Sequence, residues 1–598
     1  MLQRARLVWS GLLLLSGVVP AQGTTTLVSQ TPSGTAGNGS SAYPSLSDDG
    51  SVIAFHSNAD NLVSGDSNLQ PDVFVRYLAT GTTMRASSSS TGGPVNGASV
   101  FPRISGNGRF VAFQSNANNL APPDANGRWD VYVVDLQTGV NVRASDGPPG
   151  IQGNQDSTNA CLTQDGRFVA FGSLASNLVP NDTNGASDVF VRDLVTNTTV
   201  LASSTSNGVV GNLASKLPWV DGDGRYVAFE SLANNLVAGD TNGVSDVFVK
   251  DLLTGEVLLA SIGLGGQPSN GGSFAPSLSR DGRFVEFESS GTNLVPGDTN
   301  ARPDMFVRDL RLGVTVRVSV AANGTEANDM SGGNGFLALA ESPCTADGRF
   351  AVFLSYATNL SPGDGDVWWD VYRKDLWTGT MIRASLGANS QEIDGNCLTP
   401  SVSANGQRIA FITDDNTAVP GDTNMFADVL LRDLGTPTFD VLCVGNNPQA
   451  PCPCANSGAA GHGCENSRGT GGAVLSASGL PSTTADSLVL HSTGEGPGAL
   501  TLLLQGNQLE PPTFLADGLR CTGGFLRRLY SARANAGAID FPALGAPSLS
   551  ARSAASGDVL LIGVTRCYQT YYRDGSASFC PTGGTANLSN AIAVVWSL

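Results

Sequence analysis

Leu278-Ser279-Arg280-Asp281-Gly282-Arg283-Phe284, followed twenty residues later by Asp304-Met305-Phe306-Val307-Arg308-Asp309-Leu310, decides the fold. The first stretch joins two β-prone segments through an Asp-Gly turn of the kind that closes tight hairpins. The second is an Asp opening an apolar, partly β-branched run, the composition of a strand. The turn glycine recurs at Gly50, Gly108, Gly166, Gly224, Gly282, Gly348 and Gly406, in steps of 58, 58, 58, 58, 66 and 58 residues. The strand-opening Asp recurs at Asp72, Asp130, Asp188, Asp246, Asp304, Asp370 and Asp428 with the same steps. A constant period of this length is the signature of a repeat architecture. The sixth repeat carries an eight-residue insertion, somewhere in residues 318–343.

Each repeat reads as four short strands bounded by Gly, Asn, Asp and Ser, exemplified by residues 275–279, 167–171, 188–194 and 198–203. Four strands per unit without helices is the pattern of a propeller blade; a stacked β-solenoid, the competing architecture, has a shorter period and fewer strands per coil. Seven repeats imply an all-β, seven-bladed β-propeller over residues 22–435. The seventh repeat has only its first three strands before residue 435. Two segments compete to supply the fourth: Thr24-Thr25-Thr26-Leu27-Val28-Ser29 at the N-terminus and residues 438–442. The first is preferred, because its Thr-Thr-x-x-x-Ser pattern matches Thr82-Thr83-Met84-Arg85-Ala86-Ser87 and would join the two ends of the ring, removing an exposed edge.

The 278–284 and 304–310 strings resemble the TolB-like, WD-like β-propeller repeat of bacterial envelope proteins. The resemblance covers roughly two thirds of the chain and implies a fold that serves as partner dock, ligand binder or appendage of a peptidase. Periplasmic members of this group often have six blades, so seven repeats depart from the pattern. So do the long Asn-Leu-x-x-Gly-Asp-Thr-Asn loops.

The whole chain of 598 residues, 41% hydrophobic, 14% charged and with 73 glycines, suits two or more turn-rich β domains. Its net charge of -18 argues against a nucleic-acid partner, which demands a basic surface. Arg4 and Arg6 precede an apolar run, residues 12–19, and Val19-Pro20-Ala21 supplies the small residues of a cleavage site. Residues 1–21 therefore read as a signal peptide, and the mature protein as secreted, periplasmic or cell-surface. No later stretch is long and apolar enough for a membrane span.

After residue 435 the repeat stops. Residues 436–470 form a Cys-rich connector, and strand-like runs over 471–598 read as a β-sandwich. In an exported protein Cys443, Cys452, Cys454, Cys464, Cys521 and Cys580 are disulfide candidates, with Cys567 a seventh cysteine of the region. Zinc is the rival reading, disfavoured by the Cys-x-Cys spacing. An odd thiol is left free or pairs with Cys161, Cys344 or Cys397. Cys452-Pro453-Cys454-Ala455-Asn456-Ser457-Gly458, Asp517-Gly518-Leu519-Arg520-Cys521 and Asn587-Leu588-Ser589-Asn590 resemble a Cys-rich C-terminal domain of large secreted bacterial proteins, which brings no activity with it.

Between the second and third strands every repeat carries a long loop with an acidic pattern: Asp66/Asn68/Asp72, Asp124/Asn126/Asp130, Asp182/Asn184/Asp188, Asp240/Asn242/Asp246, Asp298/Asn300/Asp304 and Asp422/Asn424/Asp428, with Asp364/Asp366/Asp370 in repeat six. Oxygens at positions 1, 3 and 7 are part of a calcium shell, although the bidentate Glu of an EF-hand loop is missing. Asp and Asn side chains also cap their own turns without any ion. Both readings stay open here. The loops and the fourth-to-first connections are expected on one face, which is then acidic.

Catalytic patterns are sparse. The chain has three histidines, His56, His462 and His491, and no Gly-x-Ser-x-Gly elbow. Repeat six breaks the pattern with Asp364, Asp366, Trp368 and Trp369 beside the acidic face, a set suited to a sugar or cationic ligand, or to local packing under the inserted loop. Trp377 is expected toward the opposite face. The reading that results is a non-catalytic binding or scaffolding protein, using its acidic face on a protein or polysaccharide. The alternative, a glycan-active propeller enzyme, requires two carboxylates converging in the central channel about 5–10 Å apart.

Overall fold

The computed structural model describes residues 23–89, 91–120, 124–148, 151–333, 345, 348–376, 379–435 and 440–442. In the C-terminal part it describes 463–464, 472–478, 486, 488–495, 497–515, 518–543, 545–560, 564–573 and 586–596. The chain divides into two compact units, Met1–Gly435 and Thr436–Leu598.

In the first unit the repeats are antiparallel sheets, and in repeats one to six the described strands lie in chain order. Repeat four runs Ser215–Val220, Tyr226–Ser231, Asp246–Asp251, Val257–Leu259. The described residues contain six four-stranded sheets of this kind and one of three strands, Phe350–Ser355, Asp370–Asp375 and Met381–Arg383. In that sixth repeat, the residues ahead of Phe350 fall almost wholly outside the described ones, and with them the inserted segment. In repeats one to six the second and third strands stack an aromatic pair between them, such as Phe171 with Phe190 at 5.9 Å and Phe229 with Phe248 at 6.0 Å. First strands carry a bulge, marked in repeat four by a register slip between Lys216 and Trp219 and by Leu217 at φ 51°. In repeats two, three and five the amide freed by the bulge is taken up by a side chain of the preceding sheet. Phe101 N–H donates to His56 Nδ1 at 3.3 Å, Asn159 N–H to Gln114 Oε1 at 3.2 Å, and Ala275 N–H to Glu230 Oε2 at 2.9 Å.

Each sheet shares a hydrophobic core with the next. Val75 packs with Val111, Val133 with Phe171, Val191 with Phe229, Val249 with Phe287, Val307 with Phe353, and Val371 with Phe411. A seventh core joins the last repeat to the first through Val429, Ile412, Phe55 and Phe74. The N-terminal segment completes the seventh sheet: Thr24–Leu27 pairs antiparallel with Asp428–Asp433, Thr24 opposite Asp433 and Leu27 opposite Leu430. The competing segment, Asp440–Leu442, pairs instead with Ala586–Val595 in the second unit.

Residues at the ends of the first strands of six repeats, among them Ser45, Arg103, Cys161, Trp219, Leu278 and Ser401, line one cavity of about 130 Å³ together with Thr345 of repeat six. Around its mouth the turns are laced by backbone hydrogen bonds: Ala404 N–H to Asp48 O at 2.8 Å, Asp48 N–H to Gly106 O at 3.0 Å, Asn107 N–H to Gln164 O at 3.0 Å, and Gly222 N–H to Arg280 O at 2.9 Å. Sheets that radiate from a common channel make a β-propeller.

The second unit holds a sheet ordered Asp440–Leu442, Ala586–Val595, Thr565–Arg573, Leu500–Gly506, Arg527–Arg533, and a smaller one of Val474–Ser478, Val489–Thr493 and Ala538–Phe541. Their apolar faces share one core, in which Leu475, Leu490 and Phe541 meet Leu503, Tyr568, Ile592 and Trp596. A short helix, Leu549–Ala555, was not legible as such; Ser548 caps it by accepting from Ala551 N–H at 3.3 Å. Cys464 and Cys521 are each disulfide-bonded. Cys443, Cys452, Cys454 and Cys580 lie outside the described residues, as does Cys344. Cys161, Cys397 and Cys567 are buried thiols, so none of them takes up an odd half-cystine.

Candidate functional site

The Asp/Asn loops share one construction around the ring, from which repeat six departs. The last Asp of each loop is buried at the start of the third strand, where its Oδ1 accepts from a serine two residues past the fourth strand at 2.5–2.6 Å: Ser87, Ser145, Ser203, Ser261, Ser319, Ser385 and, in repeat seven, Ser29. In six repeats the middle Asn donates from Nδ2 to the other oxygen of that Asp, at 2.5–3.1 Å. The same Nδ2 reaches a carbonyl of the fourth-to-first connection, for example Ser269 O at 3.0 Å from Asn242. Its Oδ1 accepts from the amide two residues on, Val244 N–H at 3.1 Å for Asn242. Loop and connection therefore do share a face, and Asn68, Asn126, Asn184, Asn242, Asn300 and Asn424 bolt one to the other.

Repeat six lacks the bolt, because Asp366 has no amide to donate. Asp364, Asp366 and Glu392 bring carboxylate oxygens within 4.8 Å of one another. Burial raises the Asp364 and Asp366 carboxyls above the usual range, while Arg383, 2.8 Å from Glu392, holds Glu392 low. Arg383 also lies 3.5 Å from Asp364 and 3.2 Å from Asp370. Of the two tryptophans, Trp368 is exposed and donates from Nε1 to Asp394 Oδ1 at 3.2 Å. Trp369 is packed edge-on against Tyr356 at 5.0 Å and leans on the core between repeats six and seven, so it belongs to the packing. Trp377 lies outside the described residues.

Sequence reasoning passed over the residue that follows the middle Asn. In repeats two, three and four it is Gly127, Gly185 and Gly243, with φ of 65°, 65° and 69°, where a side chain is strained. Repeats one and seven place Leu69 and Met425 there, at φ 57° and 60°, and leave them 82% and 81% exposed. In repeat six the same position is Val367, 64% exposed, beside Trp368; Phe426 follows Met425 and is also exposed. Repeats six, seven and one are consecutive around the ring. The signal was in the sequence, as a break in a Gly column, but it reads only once the column is known to be left-handed.

The two carboxylates that line the cavity, Asp48 and Asp221, are already engaged. Arg280 reaches across the ring to ion-pair with Asp48, and Gly106 and Gly222 make room, since a Cβ at either would collide with this pair. Asp221 accepts from the amides of Gly224, Arg225 and Tyr226 in its own turn, and burial lifts its carboxyl to about 7. Glu286 stands where the other sheets have Ala or Val; it is wholly buried, with neither oxygen hydrogen-bonded, and burial raises it well above the usual range. His56 is held near 4 by burial and serves as the bulge acceptor described above.

No family model matches the chain, and no curated protein matches it. Among solved structures it is similar to TolB from Acinetobacter baumannii, at 19% identity and a TM-score of 0.28, over 46% of this chain and 53% of that one. It thus spans about half the length of that TolB. It is also similar to an oligogalacturonate lyase in complex with manganese, at 12% identity and a TM-score of 0.41, over 70% of this chain and 92% of the other. A third likeness is to the Dos1 propeller, at 13% identity and a TM-score of 0.34, over 69% and 95%. The fold assignment rests on the sheets, the shared cores and the channel.

Proposed function

We propose that this chain is an exported, seven-bladed β-propeller that binds a protein partner, without catalysis, through the loop tips of repeats six, seven and one. The observation that carries the reading is the placement of Leu69 and Met425. A bulky residue in the left-handed region costs about 1 kcal/mol where glycine costs nothing, and here the side chain recovers none of it by burial. Strain retained without a packing reward points to a role outside the fold. Aliphatic tips such as Leu69, Val367 and Met425 suit protein side chains better than sugars, which favour flat aromatic platforms. The acidic surroundings, Asp366, Glu392 and Asp394, select a partner whose rim is basic. Under this reading the second unit is a disulfide-linked β-sandwich that stabilises or attaches the propeller.

The test is a Leu69→Gly/Met425→Gly variant, which gives repeats one and seven the residue that repeats two to four already carry. A partner co-purified with the parent from the producing organism is isolated and titrated against both proteins by calorimetry. Loss of two central anchors should weaken binding at least about tenfold. Equal affinity for parent and variant refutes the proposal.

A further inference from the structure

The repeats differ in what stands between their paired carboxylates. In repeat five, Arg317 Nη1 lies 3.3 Å from Asp298 and 3.2 Å from Asp304, and Nη2 donates to Gly297 O at 3.3 Å. Repeat six repeats this with Arg383, 3.5 Å from Asp364, 3.2 Å from Asp370 and donating to Gly363 O at 3.1 Å. In repeat one Arg85 lies 3.3 Å from Asp66. In repeat two Arg143 turns to Asp146, at 2.6 Å, and Gln152 bridges Asp124 and Asp130 instead.

Repeats three, four and seven have Leu201, Leu259 and Leu27 at this fourth-strand position, all packed against the cores between sheets. Among the described residues no Lys or Arg ion-pairs with Asp182, Asp188, Asp240, Asp246, Asp422 or Asp428. Asp240 and Asp422 are only 7% and 5% exposed, and each has a buried oxygen, Oδ1, with no hydrogen-bond partner. Two carboxylates held together away from water, with no counter-charge, are costly. The loop backbone is the same as in the arginine repeats. The residue ahead of the first Asp has φ of 69°, 96° and 90° at Asn181, Gly239 and Gly421, against 75° and 82° at Gly297 and Gly363. The carbonyl that receives the guanidinium in repeats five and six thus has a counterpart in each leucine repeat.

We infer that repeats three, four and seven each bind a hard divalent cation of the calcium type, at the place the arginine guanidinium takes in the other repeats. The protein donors are the two Asp carboxylates and the carbonyl of Asn181, Gly239 or Gly421, with water completing the shell. The middle Asn is a spacer in these sites, since its amide already bonds the last Asp. This inference does not rest on the docking reading, which concerns other side chains.

The test counts calcium bound to the full mature protein, stripped with chelator and then titrated with calcium chloride by calorimetry and elemental analysis. The parent should bind about three ions per chain, with affinities on the order of millimolar for so few protein oxygens. Leu259→Arg should bind about two, because the guanidinium supplies the charge internally. Leu201→Arg, in repeat three, is the second variant should the first fail to fold. A count that arginine leaves unchanged, including none at all at several millimolar calcium, overturns the inference; none at all would mean that each pair shares a proton.

Discussion

Asp366→Asn would restore to repeat six the residue that the other six loops carry, and it should stabilise the protein. In those loops the Asn amide makes two hydrogen bonds, to the last Asp at 2.5–3.1 Å and to a connection carbonyl at 2.7–3.2 Å. In repeat six the corresponding acceptors are Asp370 and the carbonyl of Ile393, the residue in register with Ala327 of repeat five. Each bond contributes about 0.5–1.5 kcal/mol net. Removing one charge from the Asp364/Asp366/Glu392 group relieves like-charge repulsion as well. The sum is roughly 1–3 kcal/mol, a rise in melting temperature of about 1–5 °C for a unit of this size. Differential scanning calorimetry of the parent, of Asp366→Asn and of the reciprocal Asn300→Asp measures it. The reciprocal change should lower the melting temperature by a similar amount. If Asp366→Asn is neutral or destabilising while Asn300→Asp is destabilising, repeat six has its own compensating geometry and the bolt argument fails there. If the stabilised variant also binds its partner more weakly, Asp366 has been kept for function at the expense of stability.

Ser29→Ala should destabilise as much as Ser203→Ala, by about 2–4 kcal/mol each in denaturant unfolding. Both remove a donor to a buried Asp at 2.5–2.6 Å and the acceptor of a buried amide at 3.0 Å. A silent Ser29→Ala beside a costly Ser203→Ala would deny the N-terminal strand its part in closing the ring. Burial raises Asp72 to about 6 and Asp221 and Asp370 to about 7, so the native state holds protons that the unfolded chain has released above pH 4. Their contribution is full below about pH 4 and is lost as pH rises through 6 and 7. Asp135 and Asp251, held near 2 by Arg109 and Arg225, lose theirs only below about pH 4. In chelator the melting temperature should therefore rise from pH 8 to pH 5, and a flat or falling profile contradicts the protonated carboxylates. Mass spectrometry of non-reduced peptides should place Cys464 and Cys521 in disulfides and leave Cys161, Cys397 and Cys567 alkylatable only after unfolding. Alkylation of Cys464 or Cys521 without reduction would contradict this.

What the sequence determined by itself was everything that repeats. A hairpin turn, an apolar run or an Asx bolt is made by residues close in the chain, so each recurs with the 58-residue period and can be read from any one copy. That is why the strands, the shared acidic face and even the N-terminal segment were legible: Ser29 fell on the position from which Ser203 bonds Asp188, and it bonds Asp428 at 2.5 Å. Tertiary structure alone decided what joins unlike repeats or gives one residue type opposite roles. Asp48 and Arg280, 232 positions apart, meet across the channel because ring closure, not chain distance, brings their turns together. Trp368 and Trp369, adjacent in sequence, part company because the loop ahead of the third strand leaves one exposed on Asp394 and packs the other onto Tyr356. An arginine or a leucine at the end of the fourth strand looks like ordinary variation until the fold places it beside two buried carboxylates, where a charge has consequences that a water-exposed site would have screened.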